Sequence, residues 1–238
     1  MGHLRLAGRL AALIVALAAA LILHGGWRLI RAPSPWPRRF LGIVARIVGA
    51  RVRVVGTPLR RDVVFLSNHL SWIDILSIAG ATGSAFVAKG ELQSVPLVGW
   101  LCTLHNTIFV SREDRLQVTA QIARLRDALG NGQGVTIFPE GTTGDGTTLL
   151  PFKAALLAAL DPPPPGIAVQ PVRVDYGVAT GELAWVGDEP GAAHALRVLR
   201  RPGTFPVTLH MLPPFDPAAA GNRKAIAARA RDAIERAG

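Results

Sequence analysis

Val63-Val-Phe-Leu-Ser-Asn-His-Leu-Ser-Trp-Ile-Asp74 is a short apolar run that stops at a serine and turns polar. Val63–Ser67 has the composition of a strand. Ser71, followed three residues later by Asp74, reads as a helix N-terminus, which predicts a helix over Trp72–Ala79 after a turn that holds His69. A strand that feeds a helix through a polar turn is a building unit of α/β folds, and ligands gather at the C-terminal ends of such strands. Asp74 falls in the first helical turn, within reach of the imidazole. A carboxylate there fixes the ring tautomer and stabilises the imidazolium that forms on proton uptake, so His69 and Asp74 make a candidate general base. The same residues also read as a capping serine, a structural histidine and an acid favoured by the helix dipole. Neither Ser67 nor Ser71 has the setting of a nucleophile, so a base at His69 would activate a hydroxyl belonging to a substrate.

Outward from this stretch, β-branched runs alternate with helical ones. Further strands are expected at Val52–Val55, Ala85–Ala88, Thr107–Val110, Val135–Phe138, Ile167–Val174, Leu183–Val186 and Val207–Met211. Helices are expected at Leu116–Leu129, with Gly130 as its C-terminal stop, and at Phe152–Leu160, His194–Arg200 and Arg223–Arg236. The pattern predicts an α/β body with a mixed sheet flanked by helices. Asp161–Gly166 (DPPPPG) is a stiff connection inside it, and no internal repeat stands out. Gly-x-Ser-x-Gly, His-Glu-x-x-His and Walker patterns are absent. The single cysteine, Cys102, rules out an intrachain disulfide and reads as a small buried hydrophobe.

Two more stretches carry chemistry. Val135-Thr-Ile-Phe-Pro-Glu-Gly-Thr-Thr143 is a buried strand that ends in a polar turn. Glu140, Thr142 and Thr143 offer acceptors and hydroxyls, while Gly141 and Gly144 let backbone amides approach an anion. Asn106-Thr-Ile-Phe-Val-Ser-Arg112 runs a strand into an arginine, the side chain suited to forked phosphate binding. Arg112 also reads as a surface partner of Glu113 or Asp114.

Charge is distributed unevenly. The chain has 238 residues and a net charge of +10, yet residues 1–61 hold 11 arginines and no acid, and the remainder is nearly neutral. A basic stripe over a whole domain would point to nucleic acid; a basic, apolar leader on a neutral body points to anionic membrane lipids and away from nucleic acid. Leu10–Leu23 is an apolar run of 14 residues flanked by Arg5, Arg9, Arg28 and Arg31. A span needs about 20 apolar residues, so three readings stay open: a signal peptide, a spanning anchor with its C-terminal side in the cytoplasm, and a helix that dips into one leaflet. After the break Arg31–Pro37 (RAPSPWP), Phe40, Leu41, Ile43, Val44, Ile47 and Val48 recur at helical spacing, as a core helix or an interfacial one. The expected organisation is therefore membrane-anchoring helices over 1–51 and a catalytic α/β domain over 52–238.

Taken together, the three stretches resemble the glycerolipid acyltransferase family, in particular bacterial 1-acylglycerol-3-phosphate acyltransferases. The resemblance rests on Asn68, His69 and Asp74 as Asn-His-x-x-x-x-Asp, on Phe109 and Arg112, on Phe138 to Thr142 as Phe-Pro-Glu-Gly-Thr, and loosely on the apolar strand around Pro171. It runs from about Val52 to Met211 in the family's order. Ser111 stands where the family usually has Asp, and Gly144 where Ser often follows the Thr pair. The resemblance implies acyl transfer from acyl-CoA or acyl carrier protein to the sn-2 hydroxyl of lysophosphatidate, with no metal, no cofactor and no covalent enzyme intermediate. His69 would be the base and Asp74 its orienting acid. Arg112, Glu140, Gly141 and Thr142 would hold the acceptor's phosphate, with Lys89 as a second cation. An acceptor such as lyso-ornithine lipid is the alternative within the family; a non-catalytic membrane- or nucleic-acid-binding protein is the alternative outside it. The implied location is the inner membrane, with the catalytic domain facing the cytoplasm.

Overall fold

A seven-stranded mixed sheet forms the centre of the computed structural model, which describes residues 1–110 and 115–238. Its strands are β1 (Ala50–Val55), β2 (Val63–Ser67), β3 (Ala85–Lys89), β4 (Ile108–Val110), β5 (Val135–Ile137), β6 (Ala168–Asp175) and β7 (Phe205–Met211), in the order β1-β7-β6-β2-β5-β3-β4. Strands β2 to β6 run parallel to one another. Strand β7 is antiparallel to β6, and β1 is parallel to β7. The C-terminal ends of β2, β3, β5 and β6 therefore share one end of the sheet with the beginnings of β1 and β7.

The helices are α1 (Gly2–Leu29), α2 (Trp36–Val48), α3 (Trp72–Thr82), α4 (Val98–Leu104), α5 (Arg115–Gly130), α6 (Thr180–Leu183), α7 (Gly191–Arg200), α8 (Pro217–Ala220) and α9 (Arg223–Arg236). All of β2 is buried, as expected of a parallel strand covered on both faces. Phe65 joins one core with Ile73 and Ile78 of α3, Ala45 and Val48 of α2, and Val198 of α7. Val64 and Leu66, one residue out of phase, join the other with Leu125 and Leu129 of α5 and Ile226 and Ala230 of α9. The period of two along the strand sorts its side chains between the two cores.

The arginine-rich leader is a helical hairpin against the first core. Leu6 and Leu13 of α1 pack on that core, while Ile14, Val15, Ile22 and Leu29 of the same helix are exposed. The α1 helix is long and apolar enough to cross a membrane by length and composition. Arg9 fastens its start: the guanidinium donates to the carbonyls of Val198 (2.9 Å), Leu199 (3.1 Å) and Gly203 (3.1 Å), at the C-terminal end of α7. They lie in and just beyond the last turn of α7, where intrahelical donors run out and a cation meets the negative end of the dipole. Arg38 does the same for α3, donating to Gly80 (3.2 Å) and Ala81 (2.6 Å). The expected division at residue 51 falls inside β1.

Several expectations change. Leu183–Val186 is not a strand: Leu183 ends α6, the Trp185 N–H donates to the Leu70 carbonyl (2.8 Å), and the Trp185 carbonyl accepts from the Thr143 hydroxyl. Its backbone partners belong to two turns, so no ladder forms. The helix expected at Phe152–Leu160 shrinks to one 3-10 turn over Leu156–Leu160, because Leu150 and Lys153 donate their N–H groups to Glu140 (3.1 Å) and to the Pro139 carbonyl (2.8 Å). Gly130 is still helical, and the left-handed residue beyond it is Gly132 at φ +75°. Helix α4 went unanticipated, since its seven residues are too short for periodicity to show.

Helices α2 and α3 touch at two glycines. A Cβ on Gly80 would lie 2.7 Å from Gly42 Cα, whereas a Cβ on Gly42 would sit at an ordinary 3.6 Å from Gly80 Cα. Gly80→Ala should force the helices apart and cost about 1–3 kcal/mol, despite alanine's better helix propensity. Gly42→Ala should be neutral or stabilising by up to about 1 kcal/mol. Denaturant unfolding of both variants in detergent checks this asymmetry.

Candidate active site

Strand β2 ends at Ser67, and Asn68 continues its pairing by side chain. Asn68 Nδ2 donates to the Val174 carbonyl (3.0 Å) and Oδ1 accepts from the Val174 N–H (2.7 Å). The main chain is thereby free to turn at His69 without leaving β6 unpaired. Ser71 caps α3 in a capping box with Asp74.

Asp74 is 0% exposed, and both of its oxygens are engaged. Oδ2 accepts from His69 Nδ1 (2.9 Å), Leu70 N (2.6 Å) and Ser71 N (3.0 Å), and Oδ1 accepts from the Tyr176 hydroxyl. A buried carboxylate is tolerable only when it is satisfied in this way, here with the positive end of α3 behind it. The His69 ring is held flat on Phe138, with centroids 3.9 Å apart and planes 13° apart. Its Nδ1–H is assigned by the bond to Asp74, so Nε2 is the nitrogen left to meet a substrate; the side chain is 16% exposed.

The third stretch closes over the first. Glu140 accepts from the His69 N–H through Oε1 (2.9 Å) and from the Leu150 N–H through Oε2 (3.1 Å). The Gly144 N–H donates to the His69 carbonyl (2.8 Å), so the His69 backbone is gripped on both sides. Burial pushes the Glu140 carboxyl above its usual range, opposed by the two amide bonds and by His69. Gly141, at φ +72°, makes the turn that an L side chain would strain. Thr142 is exposed beside it. The sheet thus brings together His69, Asp74, Glu140, Gly141 and Thr142. Both Glu140 oxygens face backbone amides of the site. Lys89 ends β3, paired with Val110. Arg112 lies outside the described residues. Among the described residues, no His, Cys, Asp or Glu cluster is placed to hold a metal ion.

Sequence reasoning missed the support behind these residues. Tyr176, the chain's only tyrosine, follows β6 and reaches Asp74 from 102 positions away. Its one available signal was its place just past a strand that ends beside the site. His194 accepts from Trp72 Nε1–H (2.9 Å) through Nδ1 and donates through Nε2 to the Leu183 carbonyl (3.1 Å). It holds the first residue of α3 from a different helix, which no local pattern reveals.

Fold and site define an α/β protein with a His69–Asp74 pair at the C-terminal strand ends, its carboxylate buried and its imidazole partly exposed. Residues 51–175 match the family model described as Acyltransferase. A lyso-ornithine lipid O-acyltransferase of Rhodobacter capsulatus is 36% identical, over 98% of this chain and 90% of that protein. A 1-acyl-sn-glycerol-3-phosphate acyltransferase of Neisseria meningitidis is also 36% identical, over 59% of this chain and 55% of that protein. The crystal structure of the 1-acyl-sn-glycerophosphate (LPA) acyltransferase from Thermotoga maritima shares the fold, with a TM-score of 0.64 and 23% identity over 100% of this chain and 96% of that one. This chain belongs to the glycerolipid acyltransferase family. It is a lysolipid acyltransferase with an apolar N-terminal helix suited to membrane association.

His194 supplies a pH test of the support behind α3. Burial pushes its pKa below the ordinary histidine value, and the charge of Arg197 adds to this. The unfolded chain takes up a proton near pH 6.5 that the folded site resists, so stability is lost as pH falls below about 6.5. Partly buried His105 contributes with the same sign. His194→Asn should be less stable at pH 8 and should lose less than the wild type between pH 7 and 5. Denaturant midpoints of both proteins across that range measure the difference.

Proposed function

We propose that this chain transfers an acyl group from a thioester to the hydroxyl of a lysolipid, with lyso-ornithine lipid as its acceptor and His69 as the general base. The observation that carries the mechanism is the His69 Nδ1–Asp74 Oδ2 bond of 2.9 Å, which leaves Nε2 directed outward. His69 Nε2 takes the hydroxyl proton as the oxygen attacks the thioester carbonyl. The tetrahedral intermediate then expels the thiolate, which takes that proton from the imidazolium; the products are an ester and a thiol. Asp74 orients the ring and stabilises its charged form. Glu140 fixes the His69 backbone, and Gly141 and Thr142 line the acceptor's approach. The leader, residues 1–51, anchors the enzyme on the inner membrane with residues 52–238 on the cytoplasmic side, where acyl-CoA or acyl carrier protein delivers the chain.

The resemblance of the motifs points to lysophosphatidate. Support for lyso-ornithine lipid comes from the extent of similarity, since the lyso-ornithine lipid enzyme of Rhodobacter capsulatus aligns with nearly the whole chain and the Neisseria enzyme with little more than half. Lyso-ornithine lipid offers a carboxylate where lysophosphatidate offers a phosphate. Arg112 and Lys89 are the cations assigned to either anion.

Purified protein is to be assayed with both acceptors and both donors. His69→Ala should lose turnover by about 10²–10⁴-fold while remaining folded, with Asp74→Asn in the same range. Turnover like the wild type in folded His69→Ala would remove the base from the mechanism. A clear wild-type preference for lysophosphatidate would return the assignment to that lipid. Arg112→Ala should weaken use of the anionic acceptor by tens- to several-hundred-fold, for a contact worth about 2–4 kcal/mol. Arg112→Lys should rescue only in part.

A further inference from the structure

We propose that Tyr176 is a positioning residue for this reaction, its hydroxyl holding Asp74 Oδ1 so that Oδ2 stays on His69 Nδ1. The proposal rests on the reading of His69 as the base. The three donors on Oδ2 all come from residues 69–71 and leave the carboxylate free to pivot about that oxygen. The only bond on Oδ1 in the described structure comes from Tyr176, just past the end of the neighbouring strand β6. Tyr176 is fully buried, and its ring packs against Phe205 at the start of β7, with centroids 6.3 Å apart. The hydroxyl is therefore aimed by two strands of the sheet and not by the loop it serves. Without it, Oδ1 would be a buried carboxylate oxygen with no donor.

The same bond reaches the imidazole through Asp74. A donor on Oδ1 draws charge away from Oδ2, so removing it should strengthen the hold of Asp74 on a protonated ring, and strengthening it should do the reverse. The ionisable groups facing this centre are Asp74 from α3, Glu140 from the turn after β5 and Tyr176 from the segment after β6. Arg201 lies over the Phe205 ring behind the tyrosine. Burial and the charge of Asp74 push the Tyr176 phenol well above its ordinary pKa, so it remains a donor throughout the working range.

The test uses two changes of opposite sense in the full-length enzyme. Tyr176→Phe keeps the ring and removes only the hydroxyl. It should lower kcat by roughly 10–100-fold, leave KM for lysolipid and thioester within about twofold, and move the acidic limb of the pH profile of kcat/KM upward. Because Tyr176 is the only tyrosine in the chain, biosynthetic replacement of tyrosine by 3-fluorotyrosine alters this phenol alone. The more acidic phenol is a stronger donor and should move the same limb downward. The His69 imidazole is to be titrated in parallel by NMR of histidine-labelled protein, its signal identified by loss in His69→Ala; the two shifts should follow the activity. Should Tyr176→Phe fail to fold, the fluorotyrosine protein and the His69 titration still decide. An unmoved titration in the fluorotyrosine protein, or a Tyr176→Phe enzyme with normal kcat and an unmoved acidic limb, overturns the proposal while leaving the base in place. Wild-type turnover in His69→Ala instead overturns the base, and the role of Tyr176 with it.

Discussion

A carboxylate with no exposure to water is the constraint around which the rest of this protein is arranged. Asp74 cannot be charged inside the core without donors on both oxygens. Those donors come from the turn after β2, up to the N-cap of α3, and from the residue that follows β6, while Asp74 itself stands in the first turn of α3. Satisfying one buried charge therefore fixes the relative placement of two neighbouring strands and a helix. The Asn68–Val174 pair ties the same two strands one step earlier, so the His69–Asp74 pair sits on two consecutive crosslinks between β2 and β6. The parallel register of those strands is what makes both crosslinks possible at once.

Around that centre, the main chain of the turns is held by groups that look like substrate ligands when read in one dimension. Glu140 has the charge and the place of a binding residue, yet its oxygens accept from the backbone of His69 and Leu150. Thr143 donates to the Trp185 carbonyl, and Trp185 donates back to Leu70. The turns after β2 and β5 and the segment after α6 thus form one hydrogen-bonded knot. This gives a physical reason for the two specific motifs to occur together: the Phe-Pro-Glu-Gly-Thr stretch supplies the face on which His69 stacks and the carboxylate that holds its amide. The imidazole is presented by a frame of short bonds, and its orientation does not depend on a flexible loop.

What could be read from the sequence was local, and what could not was long-range. Strand β2 and helix α9 fall on the expected residues because their composition and caps are contiguous in the chain. The His69–Asp74 bond was foreseeable because five residues of turn and helix determine it. Tyr176 and His194 escaped notice because each reaches its partner from more than 100 positions away. Leu183–Val186 was misread for a related reason: a β-branched and aromatic tetrapeptide satisfies a strand pattern, but its backbone partners lie in turns that composition does not reveal. Order along the sheet, with β7 and β1 running against the other five strands, is likewise a property of pairing and not of any one segment.

That reversal places the leader. Because β1 and β7 begin where β2, β5 and β6 end, the Arg9 clamp on Val198, Leu199 and Gly203 lies at the same end of the sheet as His69. The α1 helix leaves from there and meets α2, whose other end is clamped by Arg38 onto the last turn of α3. Arginines that looked from composition like a uniform basic flank therefore do two jobs. Arg9 and Arg38 terminate helices of the body, and by doing so join an apolar helix to the helix that carries Asp74. The Gly42–Gly80 contact brings α2 and α3 close enough for this, since a larger residue at Gly80 would separate them. The exposed apolar side of α1 and the buried charge of Asp74 are thus connected through two packed helices. The apolar surface of α1 and the His69–Asp74 pair are thereby held in one packed arrangement.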